Sequence, residues 1–357
     1  MDTDAAERKA GRWLILTVGL TCLLLLPFAL FNYYIDPMWT FSHSNAYNTD
    51  QMPFDERQQK TNHLTFAPES CKGLLIGSSR CSYIDAHDFD EAVYNYAVSN
   101  IQLPEYVAYI SYAAEKMGTP ETVYVGLDFY ETNRNQTPNE VSPAEIIAHA
   151  NEPGYRFKLL LSRDTLSYSW KNYKASQETQ YPVNFAYNRE NVKRLSQVPL
   201  EQTWQMEMDA KERFREGLYA NYAYDAMPEQ LEKIKNASPG SRFVAFTTPV
   251  HENFFALLGE MGLYDAYEQW LRDSVAVFGR VYHFMYLNDI TQDLSNFYDG
   301  SHIYPETAAK MVAFIQGRGD ETEDFGIILT PENIEENLEM LRARTQRAWK
   351  SMEKEQE

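Results

Sequence analysis

Cysteine is scarce: Cys22, Cys71 and Cys81 are the only three in 357 residues. That is too few for a disulfide scaffold. Cys71 and Cys81 also bracket a short apolar run that, as a straight strand, would hold their sulfurs beyond bridging distance. There is no Cys-x-x-Cys pair and no His-Glu-x-x-His, so neither a metal nor a cofactor is expected. Basic charge is short as well. The 32 Lys+Arg against 51 Asp+Glu leave a net charge of -19, which excludes a nucleic-acid binder held by phosphate contacts. Repeats and low-complexity tracts are missing. What is present is core material, 44% hydrophobic residues including 25 Tyr and 19 Phe, enough for a globular body of one large or two ordinary domains.

Charge is missing altogether from Trp13 to Ile35. At about 1.5 Å of rise per residue such a helix spans roughly 30 Å, a bilayer core. Arg8, Lys9 and Arg12 precede it and Asp36 follows. The positive-inside bias therefore predicts a cytoplasmic N-terminus and an extracytoplasmic remainder. The run is longer than a signal-peptide core, and Ala29-Leu30-Phe31 lacks a small-x-small cleavage pattern, which favours an uncleaved single-pass anchor over residues 1–35. In that compartment ATP, NAD and acyl-CoA are not supplied.

Residues 36–70 are polar and predict a lead-in crossing the domain surface. Strand and helix patterns then alternate. Gly73–Gly77, Ala92–Ala97, Thr122–Leu127, Arg242–Thr247 and Val281–Tyr286 are strand-like, and Leu103–Met117 and Tyr264–Phe278 have helical spacing. The pattern predicts a three-layer α/β/α domain over 71–317 with a central parallel five-stranded sheet. About 134–240 is too long for a crossover and is expected to be a helical insertion or cap whose tyrosines pack. In the 318–357 extension, Thr330-Pro331 is expected to start a helix with Ile334, Leu338 and Leu341 on its apolar face.

Two segments carry chemistry. Gly77-Ser78-Ser79-Arg80 follows the first strand, and Asp299-Gly300-Ser301-His302 follows the last. Both fall at carboxyl ends of the expected sheet, where a cleft forms and free N–H groups meet a developing oxyanion. Pro305 would open the next helix, leaving His302 on the loop before it. An Asp three residues before a His can hold one ring nitrogen and free the other for a serine proton. His251, after Thr247, is also at a carboxyl end and is a weaker candidate for the cleft. His283 lies inside an apolar strand and is expected to be a satisfied core residue. Cys81 lacks an adjacent base and is not expected to be a nucleophile.

Gly77-Ser78-Ser79, Asn95-Tyr96-Ala97-Val98-Ser99-Asn100 and Asp299-x-x-His302 resemble the first, second and fifth blocks of the SGNH (GDSL-like) hydrolase superfamily. With the anchor, the chain is similar to its membrane-tethered branch, the accessory acyltransferases of envelope polymers, such as those of alginate O-acetylation and teichoic acid D-alanylation. The resemblance covers about 70–130 and 240–315. It implies Ser79 as nucleophile, His302 as general base and Asp299 as its orienting carboxylate. It further implies an oxyanion hole from the N–H groups of Ser79 and Ala97, although Ala97 stands where the family has glycine. The family's third block supplies an asparagine donor where this chain has Asp128. Arg80 and Asn100 are possible substitutes, and Asp128 is left to bind a sugar hydroxyl or to pair with Arg80. Arg80, Asp128 and His251 are thus the substrate-binding candidates.

The implied activity is acyl transfer, acetyl foremost, to an envelope or exported polysaccharide, with a multispanning membrane O-acyltransferase as the partner that hands the acyl group across. Two alternatives stay open: an esterase that deacetylates the polymer, and a non-catalytic assembly protein on the same fold.

Overall fold

The computed structural model describes residues 3–68, 70–177, 186–225, 227–320 and 324–356. Residues 1–2 and 357, with 69, 178–185, 226 and 321–323 inside the expected lead-in, insertion and C-terminal extension, lie outside the described residues. Helix α1 (Thr3–Ile35) comes first. Its Glu7–Ile35 part is long and apolar enough to cross a membrane, with a mean hydropathy of 2.5 over its best window and none of that window buried against the protein.

The sheet has six strands, not the expected five. They are β1 (Gly73–Ile76), β2 (Val93–Asn95), β3 (Thr122–Leu127), β4 (Arg242–Thr247), β5 (Val281–His283) and β6 (Ile327–Leu329), in the order β2-β1-β3-β4-β5-β6. The first five are parallel, as expected, with Leu75 beside Asn95 on one side and Tyr124 on the other. The sixth runs antiparallel along β5, Val281 opposite Leu329. It comes from the C-terminal extension, which therefore completes the domain rather than standing outside it. Its three residues are too few to show a period, so the sequence pattern passes over it.

Successive residues of a strand face opposite sides, and here both sides are buried. Leu74, Ile76, Val123, Val125 and Ala245 belong to one core, and Leu75, Tyr124, Val244 and Phe246 to the other. Each fully buried side chain of this size contributes roughly 1.5–3 kcal/mol. The first core is covered by α2 (Leu103–Met117), α3 (Met227–Lys235), α4 (Glu252–Glu260) and α5 (Tyr264–Phe278), and the second by α6 (Pro305–Ile315). Pro305 opens α6, and Gly279 in the left-handed region (φ 74) closes α5. The regular part of the last helix starts at Ile334, and the turn 331–333 leads into it, with the Thr330 carbonyl taking the Ile334 N–H at 3.0 Å and Asn333 Oδ1 the Thr330 N–H at 2.8 Å. Its Ile334, Leu338 and Leu341 are buried.

The polar lead-in is the largest surprise. Its helix Glu56–Phe66 buries Gln58, Gln59, Lys60, Thr61, Asn62, His63 and Leu64 instead of crossing the surface. Polar burial is tolerable when each group is bonded. Gln59 Nε2 donates to the Pro37 carbonyl at 2.7 Å, Asn62 Nδ2 to that of Met38 at 2.8 Å, and Thr61 shares a 2.6 Å bond with the Tyr96 hydroxyl. Upstream, Asp50–Gln51 pairs with Ala186–Asn188, and that strand with Lys193–Arg194, tying the lead-in to the insertion. The insertion is helical as expected, with segments at Pro143–Asn151, Arg163–Ala175 and Leu200–Arg213.

β1 and β3 meet tightly below the first turn. The buried Cys81 thiol fills the space over Gly77 and Gly126, and a methyl group at either glycine would overlap its sulfur. Gly126→Ala is expected to cost about 1–3 kcal/mol by overpacking. In Gly126→Ala/Cys81→Ala the sulfur is gone, so the double variant should lose at least about 1 kcal/mol less than the sum of the singles. Denaturant unfolding of the four proteins checks this, and strict additivity would show that the sulfur is not the obstacle.

Candidate active site

Ser79 sits three residues beyond β1, in a tight turn closed by the Cys81 N–H on the Ser78 carbonyl (3.0 Å) and the Ser82 N–H on that of Ser79 (3.2 Å). Asp299 and His302 sit on the loop between β5 and α6. That loop is pinned by a bridge between Phe297 and Ile303 and by the Tyr298 N–H on the His302 carbonyl at 2.7 Å. Gly300 adopts φ 73 and packs so closely on Glu207 that no side chain fits there.

The two loops meet. Ser79 Oγ lies 2.8 Å from His302 Nε2, and His302 Nδ1 lies 2.9 Å from both carboxylate oxygens of Asp299. Asp299 also accepts from the backbone N–H groups of Ser301 (3.1 Å) and His302 (2.9 Å) and from the Ser301 hydroxyl (3.0 Å). Burial alone would raise its pKa. The imidazole and these donors outweigh burial and hold it down at about 2. A fixed anion on Nδ1 places the ring proton there and leaves Nε2 to accept from Ser79. Such an arrangement can activate a hydroxyl for attack on a carbonyl.

Other expected site residues fall differently. The Ala97 N–H is bonded to its neighbour's side chain, Asn95 Oδ1, at 2.9 Å, and Ala97 is wholly buried. It therefore cannot serve as the second arm of an oxyanion hole; the Asn95 amide has taken it. No hydrogen bond engages the Ser79 N–H among the described residues. Asn100, at φ 49, lines the cleft beside Ser79, but its Nδ2 donates to Asn139 Oδ1 at 3.2 Å. Asp128 is fully buried and does not face the cleft. It accepts from Arg80 Nη1 at 3.0 Å and from the hydroxyls of Ser78 and Thr248. A sugar-binding role for Asp128 is thereby excluded, and its pairing with Arg80 holds. Arg80 lines the cleft, packed among Tyr130, Phe214 and Phe254 at 5.5 to 5.9 Å, with its buried Nη2 bonded to nothing among the described residues.

His251 does not line the cleft. Its Nδ1 lies 2.5 Å from Glu207 Oε1, and its backbone N–H holds the Gly300 carbonyl at 2.8 Å, so it supports the Asp299–His302 loop from behind. His283 is buried between Thr247 (2.9 Å) and the Tyr267 hydroxyl (2.8 Å), a satisfied core residue as expected. Burial pushes the Cys81 thiol well up, which makes it a poor nucleophile.

The cleft, about 480 Å³, is walled by residues that pattern reasoning passed over. Tyr130, Gln136, Thr137, Arg213, Phe214 and Leu218 face Ser79 and His302 across it, most of them from the insertion. Among the described residues no Asp or Glu lines it. A second hidden group lies beneath the serine turn. Lys193 Nζ donates to Ser82 Oγ at 2.8 Å, and that hydroxyl donates to the Ser79 carbonyl at 2.6 Å. Lys60 Nζ donates to the Ala97 carbonyl at 2.7 Å. Burial lowers the pKa of Lys60 to about 7 and of Lys193 to about 8, against the pull of Glu56. Glu56 itself is mostly shielded from water, yet these two lysines and the bonds from Tyr187 and Ser99 hold it at about 2. Nothing in the sequence marks these residues, because each looks like ordinary surface polarity until the chain folds.

Among the described residues no three His, Cys, Asp or Glu side chains are grouped to hold a metal. No protein-family model matches the chain, and no curated protein matches it in sequence.

Two outcomes follow from this geometry. A fluorophosphonate probe is expected to label the wild-type chain at Ser79, to fail on Ser79→Ala, and to react roughly 10³- to 10⁴-fold more slowly with Asp299→Asn, whose amide favours the wrong ring tautomer. Mass spectrometry of the labelled peptide reads the site; equal labelling of Ser79→Ala would remove the serine from the chemistry. The second concerns pH. An unfolded chain keeps Lys60 protonated to about 10.5 while the folded one releases that proton near 7, so folding stability should rise with pH between these values. Lys60→Met should flatten that rise in unfolding curves at pH 7 to 9.5; parallel curves would refute it.

Proposed function

We propose that this protein is a membrane-anchored serine acyltransferase of the SGNH type that works outside the cytosol on a hydroxyl of an envelope or exported polysaccharide. The observation that carries the proposal is the continuous bonding from Ser79 through His302 to Asp299, at 2.8 and 2.9 Å, opening on one cleft. Ser79 Oγ attacks the acyl carbonyl as His302 Nε2 takes its proton, and the Asp299 carboxylate stabilises the imidazolium. The tetrahedral oxyanion meets the Ser79 N–H, and the guanidinium of Arg80, one residue on, supplies positive charge behind it in place of the displaced Ala97 donor. Collapse expels the donor's alcohol or thiol with the proton from His302 and leaves acyl-Ser79. A sugar hydroxyl then gives its proton to His302, attacks the ester and carries the acyl group away.

The cleft chemistry supports a carbohydrate acceptor. Tyr130 and Phe214 offer ring faces, and Gln136, Thr137 and Asn100 offer hydrogen-bonding groups of the kind sugar hydroxyls take. Arg213, with no carboxylate in the lining and Arg80 already balanced by Asp128, keeps the net charge of -19 from extending into the cleft. The anchor supports the compartment. Arg8, Lys9 and Arg12 sit at the N-terminal end of a helix able to cross a bilayer, which supports an extracytoplasmic domain through the positive-inside bias. No acyl-CoA reaches that side, so the donor is an acyl group delivered by a multispanning membrane O-acyltransferase.

The test supplies p-nitrophenyl acetate to the full-length protein with an oligosaccharide acceptor and measures acetylated sugar against free acetate. Acetylated sugar should dominate and should fall by at least about 10³-fold in Ser79→Ala and His302→Ala. Free acetate alone would turn the assignment to an esterase, and unchanged polymer acetylation in cells carrying Asp299→Ala or His302→Ala would reduce the protein to an assembly role.

A further inference from the structure

The last turn of α1 does not run out into a tether. Asn32 is buried, with its Nδ2 on the Leu160 carbonyl at 3.0 Å and its Oδ1 accepting from Ser169 Oγ at 2.9 Å. The Phe31 ring meets those of Trp170 and Tyr173 at 6.3 and 6.1 Å. Residues 35–41 are all buried. The Asp36 carboxylate takes the N–H groups of Thr40 (2.9 Å) and Phe41 (3.0 Å) and the guanidinium of Arg189 (2.7 Å), and Gln51 Nε2 holds the Ile35 carbonyl at 2.5 Å. The helix is therefore fused to the body, and whatever flanks its end is held at a fixed place beside it.

What flanks it is the segment 155–175. In its helix Arg163–Ala175, Thr165, Ser169 and Asn172 face inward. Arg163, Ser167, Trp170, Lys171 and Lys174 lie on the opposite, exposed face. The preceding turn adds Phe157 and Leu161. Phe157, Leu161 and Trp170 are 63%, 58% and 52% exposed, and they are three of the few large apolar side chains so exposed outside α1. Among the described residues Arg163, Lys171 and Lys174 pair with no carboxylate, in a chain where acidic residues outnumber basic ones 51 to 32. Lys174 sits over the Trp170 ring at 5.5 Å. Exposed aromatic and aliphatic side chains flanked by unpaired cations suit one environment, the boundary between acyl chains and phosphate headgroups.

We infer that the 155–175 surface is a membrane seat: Phe157, Leu161 and Trp170 enter the outer interface of the bilayer that α1 crosses, and Arg163, Lys171 and Lys174 engage lipid phosphates around them. The inference rests on α1 spanning a bilayer and is separate from the chemistry at Ser79. The lipid surface is the occupant because the seat is continuous with the end of α1 and carries the opposite charge to a phospholipid headgroup layer.

The experiment places the full-length protein in nanodiscs whose lipids carry bromine near the top of the acyl chains, and reads tryptophan quenching. Trp13→Phe and Trp170→Phe should each remove part of the quenched fluorescence. Trp204→Phe, at 51% exposure but on the separate helix Leu200–Arg213, should remove none. If only Trp13→Phe has an effect, the anchor is in the bilayer and the seat is not, which overturns the inference and leaves a protein partner as the cover of that face. If neither has an effect, the anchoring reading falls and takes the seat with it.

Discussion

A single hydrogen bond joins residues 223 positions apart in the chain, the one from Ser79 to His302. Its length depends on how accurately two ends of one sheet are held. The serine end is set by Cys81 packing over Gly77 and Gly126, which leaves the turn no slack. The histidine end is set by Gly300 lying on Glu207 and by His251 gripping the Gly300 carbonyl. Neither support takes part in the bond itself, yet a shift in either would lengthen it. Geometry of this kind matters because reactivity between two groups falls steeply with misplacement of about 1 Å.

Beneath the turn the structure accepts an unusual burden. Two lysines, Lys60 and Lys193, are out of water, and one carboxylate, Glu56, is nearly so beside them. Burying charge is costly unless every donor and acceptor is matched. Here Tyr187, Ser99, Ser82 and the Ala97 carbonyl do the matching. The arrangement joins the lead-in helix, the insertion and the serine turn through polar bonds alone, which are directional and so fix position more sharply than apolar packing of equal area. That is a reason for a helix made of Gln, Gln, Lys, Thr and Asn to lie inside the protein.

Much of this was legible in the sequence, and the boundary has physical reasons. The five parallel strands declare themselves because each is a short apolar run buried on both faces, and Ser79, Asp299 and His302 come together because residues at carboxyl strand ends converge. Strand Ile327–Leu329 is not legible because three residues show no period. The helix Glu56–Phe66 was placed on the surface because polarity is read as solvation, whereas here it means internal bonding. Ala97 was assigned a free N–H on family pattern, and the side chain two residues earlier had taken it. The walls of the cleft, Phe214, Leu218 and Arg213 among them, come from an insertion whose contacts with the serine turn are all long-range, so no local spacing could announce them.

The junction at Asn32 and Asp36 has a mechanical consequence. A catalytic head on a flexible stalk explores a volume and meets its targets at any angle. Without a hinge there is no such search: the mouth beside Ser79 stands at one height and one bearing relative to the helix, and any molecule that enters the cleft must come to that point.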